Sequence, residues 1–229
     1  ANRIPFAITP YYLSLMDREP SRKWDHAVRA QVIPPLSYVQ AVLRSRNDPS
    51  ASLDFMIEGQ TSPVELVTRR YPMIAIFKPY NTCAQICVYC QRNWEIEGVL
   101  SEDAMAPPEK VEAALEWFQE HPAVSEVLIT GGDPAMLSNT HLRSLLGRLA
   151  DIPHIKRLRL GTRVPVVLPM RMDDGFLEVL GGVHDPPVRE IAMVTHFEHP
   201  YEITPEAAAA IRSVRSLGIS AYNQQVFTM

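Results

Sequence analysis

The stretch Asn81-Thr82-Cys83-Ala84-Gln85-Ile86-Cys87-Val88-Tyr89-Cys90 holds all three cysteines of the chain, spaced C-x-x-x-C-x-x-C. It follows directly on the apolar run Met73-Ile74-Ala75-Ile76-Phe77, which predicts a buried strand. Three thiolates on one short loop can hold three corners of a cubic iron–sulfur cluster. With no fourth cysteine in the chain, the fourth iron would lack a protein ligand. Catalytic metal centres keep such an open position, whereas structural ones close it. Zinc is a competing reading, with one of the seven histidines as fourth ligand, although zinc cysteines usually come as two C-x-x-C pairs. Three unrelated buried thiols are a further one. A disulfide framework is disfavoured by the odd count and by a start that does not read as a signal peptide.

Outward from that loop, composition sets bounds. At 229 residues and 46% hydrophobic, the chain can bury a core as one domain, or as a domain with an appendage. A net charge of −4 gives no electrostatic case for nucleic acid or an anionic membrane surface. The apolar runs fall far short of a bilayer span, so we expect a protein of the reducing cytoplasm, where an oxygen-sensitive cluster would survive. Twenty prolines against ten glycines, scattered among periodic segments, predict fixed turns rather than disorder.

Residues 1–66 read as a helical N-terminal extension. Thr9-Pro10-Tyr11-Tyr12-Leu13-Ser14-Leu15-Met16 has a cap and a proline before apolar residues, and Trp24–Ala30 and Pro35–Leu43 predict further short helices. Their aromatics are expected to pack onto the main domain. Residues 67–229 then alternate. Strands are predicted at Ile74–Phe77, Glu126–Thr130, Arg157–Leu160, Glu190–Thr195 and Ile219–Phe227. Helices are predicted at Pro108–Glu120, His141–Leu149, Met172–Leu180 and Pro205–Ser216, the last with Thr204 as N-cap and a stop at Gly218. Such alternation implies right-handed βαβ units and an α/β fold, a partial (β/α) barrel with chemistry at the C-terminal strand ends.

Candidate site residues fall at those ends. After the second strand comes Thr130-Gly131-Gly132-Asp133-Pro134, where paired glycines let a ligand approach the backbone. The plainer alternative is a Gly-Gly turn with Asp133 capping the next segment. After the third comes Gly161-Thr162-Arg163, and Arg163 alone could be a surface cation. After the fourth, His196 and His199 could be a metal pair or ordinary loop histidines. With no obvious third ligand, we expect no second metal site.

C-x-x-x-C-x-aromatic-C after a strand resembles the signature of the radical S-adenosylmethionine (SAM) enzymes. The motifs TRVPVVLP at 162–169, THFxHPxEITPE at 195–206, the following NQ, QVIP at 31–34 and SPVxxxxxRYP at 62–72 narrow the resemblance to the lysine 2,3-aminomutase family. It runs across nearly the whole chain. That resemblance implies a [4Fe–4S] cluster, SAM cleaved to a 5′-deoxyadenosyl radical, and pyridoxal phosphate assisting migration of an α-amino group to the β-carbon. It assigns Cys83, Cys87 and Cys90 to the cluster and places Tyr89 beside cluster and adenine. Gly131, Gly132 and Asp133 match the SAM-binding edge, and His196 and Gln224 match polar contacts to SAM. Arg92 matches the arginine for the substrate carboxylate, which suits the bidentate fork of a guanidinium. Arg70 matches an arginine near the cofactor phosphate. The implied partners are a small amino-acid substrate and an electron donor such as a flavodoxin or ferredoxin, with a homo-oligomer as a further expectation.

Three departures qualify this. The family's arginine-rich run is replaced by Gln91-Arg92-Asn93-Trp94-Glu95-Ile96-Glu97-Gly98, so the substrate need not be lysine. Gly161 stands where histidine is usual. The family's lysine for pyridoxal phosphate lies in a glycine-rich segment beyond the position of Met229, and none of Lys23, Lys78, Lys110 or Lys156 sits in a matching motif. We therefore read the chain as a fragment. The alternatives are a related enzyme acting on a protein lysine or lacking pyridoxal phosphate, and a non-catalytic metal module.

Overall fold

The computed structural model describes residues 6–19, 25–48, 51–52, 54, 56–92, 96 and 104–226. Asn93, Trp94, Glu95, Glu97 and Gly98 of the altered run, together with Lys23, Trp24, Phe227 and Met229, lie outside the described residues.

The apolar runs form a six-stranded sheet in sequential order: β1 (Val67–Thr68), β2 (Ile74–Tyr80), β3 (Glu126–Gly131), β4 (Arg157–Gly161), β5 (Glu190–Thr195) and β6 (Ser220–Asn223). From β2 onward every pair is parallel, while β1 runs antiparallel to β2. No hydrogen-bonded ladder joins β1 to β6 among the described residues, so the barrel is partial and open. Two sequence expectations are corrected. The last strand is shorter than predicted, because its ladder ends level with Thr195, whose carbonyl accepts from the Gln224 amide at 2.8 Å. The two-residue β1 escaped prediction, since two residues carry no periodicity; the left-handed backbone at Leu66 (φ 67°) turns the chain into it.

Helices α4 (Pro108–Glu120), α5 (Asn139–Ala150), α7 (Asp174–Gly181) and α8 (Pro205–Ser216) cross over between the parallel strands, with the short α6 (Val164–Val167) between β4 and α7. Their starts follow from local chemistry. Ser138, Asp173 and Thr204 each accept a backbone N–H of the first turn, and Pro205 and Pro108 occupy first positions where no N–H is missed. Period-2 burial puts Ala75, Phe77, Val127, Ile129, Leu158 and Leu160 against the helices, where Val111, Phe118, Leu142, Leu149 and Phe176 meet them. Phe77 and Phe118 pack edge to face with centroids 5.7 Å apart.

The N-terminal segment contributes α1 (Pro10–Ser14), α2 (His26–Ala30) and α3 (Leu36–Asn47). Tyr12, Val28 and Val32 share a second, smaller core with Val166 and Val167 of α6. Thr9 caps α1, accepting from the Tyr12 amide at 3.0 Å while its hydroxyl donates to the Val167 carbonyl at 2.5 Å. This segment thus packs against the C-terminal ends of the strands, where the cysteine loop lies.

Candidate functional site

β2 delivers the chain into Asn81–Cys90, and the N-terminal segment holds that loop from outside. The Ile86 amide donates to the Ala7 carbonyl at 3.1 Å, and the Val88 amide to the Gln31 carbonyl at 2.8 Å. All three cysteines are free and partly buried. Burial pushes the Cys83 thiol well above the usual range, and the proximity of Asp133, Cys90 and Cys87 pushes it further. Among the described residues no three His, Cys, Asp or Glu side chains stand as a ready-made metal site. The donor set nonetheless fits an iron–sulfur cluster. Three unbridged thiols share one loop, with Cys87 and Cys90 close enough to bear on Cys83, and rotation about cysteine's single χ1 bond can reorient each sulfur.

The glycine pair at the end of β3 packs against the start of this loop. Gly131 sits at φ +120°, and a Cβ there would lie 2.6 Å from the Tyr80 carbonyl oxygen. A Cβ on Gly132 would lie 2.2 Å from the Thr82 carbonyl oxygen. The Gly132 amide donates to Tyr80 at 2.6 Å and the Asp133 amide to Thr82 at 2.7 Å. The close approach that the glycines permit is therefore made by the chain's own Tyr80–Thr82 segment.

Asp133 is tied into the same turn. Its Oδ1 accepts from Thr162 Oγ1 at 2.6 Å and the Ala135 amide at 3.0 Å, and its Oδ2 from the Arg163 amide at 2.8 Å. Both oxygens serve the junction of β3 and β4, and the bond to the Ala135 amide is the capping contact of the plainer alternative. Burial pushes its pKa up against the pull of those hydrogen bonds.

Arg163, read from sequence as a possible surface cation, is buried. Its Nη1 donates to Cys87 Sγ at 2.9 Å; its Nη2 donates to Glu202 Oε1 at 2.6 Å and to Tyr12 Oη at 3.3 Å. The guanidinium carbon lies 5.4 Å from the ring centroids of both Tyr12 and Tyr89. Burial opposes its charge, but the neighbouring Cys87, Tyr89 and Glu202 more than compensate and raise its pKa. Tyr89 is thus beside Cys87, its hydroxyl held protonated by burial and by that thiol.

At the end of β5, His196 lies beside Glu198, with Nδ1 3.6 Å from Oε1. Burial lowers the His196 pKa, partly offset by Glu198. Glu198 is buried, and its Oε2 accepts from the Val226 amide at 2.7 Å. Gln224 is exposed, its backbone against His196.

Arg92 closes the cysteine loop, its amide donating to Cys90 Sγ at 3.4 Å, while its guanidinium and that of Arg70 turn to the segment Met56–Glu58. Arg92 is buried and donates through Nη2 to Glu58, whose Oε2 also takes Lys78 Nζ at 3.0 Å. A guanidinium expected to meet a substrate carboxylate is here held by the chain's own. Arg70 is exposed and donates to the Met56 carbonyl, in the segment that leads into Glu58. Sequence reasoning missed Glu58, Glu198 and Glu202, because only the fold reveals that these carboxylates are buried.

Residues 77–221 match the Radical SAM superfamily. An uncharacterized KamA family protein of Methanocaldococcus jannaschii is 49% identical over 99% of the chain and 36% of its own length. An L-lysine 2,3-aminomutase of Fusobacterium nucleatum is 36% identical, and a glutamate 2,3-aminomutase of Clostridioides difficile 33% identical, each over 96% of the chain and 48% of the relative. The chain thus spans half or less of the length of these relatives. Among the described residues no helix is long and apolar enough to cross a membrane.

Proposed function

The chain belongs to the Radical SAM superfamily, and from that premise we propose that Cys83, Cys87 and Cys90 hold a [4Fe–4S] cluster that leaves one iron for SAM. When bound, cluster and SAM supply a carbon-centred adenosyl radical able to abstract hydrogen from an unactivated C–H bond. The observation that carries the reading is the meeting of the three thiols, the Gly131–Gly132 turn, Arg163 and Tyr89 at the C-terminal ends of the parallel strands. That is where barrel chemistry resides.

This chain's own residues then divide the work. The Ala7 and Gln31 carbonyls and the glycine turn fix the loop. Arg163 orients Cys87, and Tyr89 offers an uncharged hydroxyl beside it. His196, kept neutral by burial, presents its imidazole next to Glu198, in keeping with a polar contact to SAM. The likeness to aminomutases supports 2,3-migration of an amino group on lysine or a related amino acid, with pyridoxal phosphate, as the activity of the whole protein. A flavodoxin or ferredoxin as electron donor, a homo-oligomer, a cytoplasmic setting and an extension ending near residue 66 belong to the same proposal.

One observation favours a second reading. Arg92 is held by Glu58, so a substrate carboxylate would have to compete with that internal one. A related enzyme with a different substrate, working without pyridoxal phosphate or on a protein lysine, fits that arrangement.

The test is anaerobic reconstitution with iron and sulfide, then EPR of the dithionite-reduced protein with and without SAM. A [4Fe–4S] signal that changes shape on adding SAM is expected. Stoichiometric zinc with no cluster would overturn the reading and leave the loop structural.

A further inference from the structure

We propose that Arg163 acts through Cys87 on the group the thiols hold: a guanidinium locked by Glu202, Tyr12 and Tyr89 that donates to Cys87 Sγ and thereby sets the reduction potential of that group. The inference rests on the functional reading above and deepens it.

The guanidinium is held through both of its terminal nitrogens, while its buried Nε makes no hydrogen bond among the described residues. One arm reaches the sulfur at 2.9 Å, and the other reaches Glu202 Oε1 at 2.6 Å and Tyr12 Oη at 3.3 Å. Tyr12 itself donates to the same Glu202 oxygen at 2.5 Å, closing a triangle. Glu202 is fully buried, and its second oxygen accepts the Glu198 amide at 2.6 Å, which fixes the carboxylate in turn. Tyrosine rings flank the guanidinium at equal distance. A rigid planar fork serves the sulfur and the carboxylate from separate nitrogens in fixed directions, whereas lysine would serve both from one compact ammonium on a flexible stem. The loop is pinned independently by its amides to Ala7 and Gln31. The Arg163–Cys87 contact is therefore not needed merely to keep the loop in place, and a task beyond tethering is left for it.

That task follows from charge. Reduction of the cluster adds one electron, taken from the external donor, and no bond or proton changes at Arg163. Net charge and hydrogen bonds to the sulfurs set such potentials. A fixed cation in a buried site stabilises the added negative charge more than it would in water. Arg163 thus raises the potential and makes the cluster easier to reduce. Because Tyr12 and Glu202 hold it, a helix of the N-terminal segment and the turn after β5 both contribute to a property of the β2 loop.

The experiment compares wild type, Arg163→Gln, Arg163→Lys and Glu202→Gln after anaerobic reconstitution. It measures iron content, thermal unfolding, and midpoint potential by mediated titration followed by EPR. In the iron-loaded Arg163→Gln the reduction equilibrium should fall about tenfold, a shift of about 59 mV to more negative potential for one electron. Arg163→Lys, which keeps the charge without the fork, should fall between. Glu202→Gln should disturb the potential less than Arg163→Gln while lowering the unfolding temperature. A loaded Arg163→Gln with the wild-type potential overturns the proposal and leaves Arg163 structural. Should Arg163→Gln take up no iron, Arg163→Lys decides: a shifted potential supports the proposal and an unchanged one overturns it. Failure of wild type itself to take up a cluster would defeat the functional reading instead.

Discussion

Two ionic clusters occupy opposite ends of the same parallel strands. At the N-terminal edge, Glu126, Arg157 and Glu190 stand level in register, with Arg157 Nη2 2.7 Å from Glu190 Oε2 and Nη1 3.4 Å from Glu126 Oε2. At the C-terminal edge, Arg163, Glu202 and Tyr12 form an equally close set. The residue types are nearly the same and the environments are opposite: the Arg157 side chain is 46% exposed, that of Arg163 7%, and that of Glu202 0%. Water competes for the first cluster and screens it, so it contributes little. Burial makes the second costly to assemble and far more costly to break. The fold thus places its electrostatic risk where the thiols are.

The strongest test of this contrast is Glu202→Ala. Removing the carboxylate strands a buried guanidinium, and breaking a buried pair on one side costs about 3–5 kcal/mol. Urea unfolding at neutral pH should show a loss of that size. A loss below about 1 kcal/mol, the ordinary range for exposed pairs, would erase the distinction between the two ends.

A contrast between two glycines comes next. Gly132→Ala would drive a Cβ to 2.2 Å from the Thr82 carbonyl oxygen, a backbone atom with no rotamer in which to retreat. Overpacking of this kind costs about 1–3 kcal/mol, and here it should also displace the cysteine loop and lower iron uptake. Gly147, within α5, has nothing within 4 Å of its would-be Cβ. Gly147→Ala should instead stabilise by about 0.5–1 kcal/mol through helix propensity. Equal effects at both positions would mean that the glycine turn does not brace the loop.

These features were unequally legible in the sequence. Helices Pro108–Glu120 and Pro205–Ser216 match their predicted bounds because proline starts and, for the second, the Thr204 cap are written within a few residues of each end. The cysteine loop was equally plain, since its spacing is local. By contrast, no helix was predicted at α6, Val164-Pro165-Val166-Val167, whose β-branched residues favour extended chain. Arg163 looked like a surface cation because its partners lie at positions 12, 87, 89 and 202, and only the closing of the strands brings them together. Likewise the Glu58–Arg92 pair joins residues on either side of β2 and leaves no pattern along the chain. Motifs locate a site; the burial and pairing that tune it are long-range.

A third prediction concerns pH at the C-terminal edge. Burial depresses the folded-state pKa of His196, so the unfolded chain binds its proton more readily than the folded chain does. Stability from this group is complete above about pH 6.5, the ordinary histidine value, and is lost as pH falls toward the folded pKa. Unfolding measured on either side of pH 6.5 should show wild type losing stability on acidification, and His196→Gln should flatten that slope. An unchanged slope in the variant would assign the acid sensitivity to other groups.

The smallest effect is expected at the other edge. Arg157→Ala removes three hydrogen bonds to two carboxylates, yet Arg159 still pairs with Glu126, and Glu190 at 30% side-chain exposure can turn to water. No buried charge is stranded, so the cost should stay within about 0.2–1 kcal/mol. It should also shrink further when salt is raised to about 1 M, where the screening length falls to about 3 Å. The same salt change should leave the Glu202→Ala deficit almost untouched, because ions do not reach a fully buried carboxylate. Salt sensitivity therefore separates the two clusters independently of magnitude. Were Arg157→Ala to cost several kcal/mol and ignore salt, the N-terminal row would be part of the core, and exposure alone would not explain why one edge of this sheet carries the site.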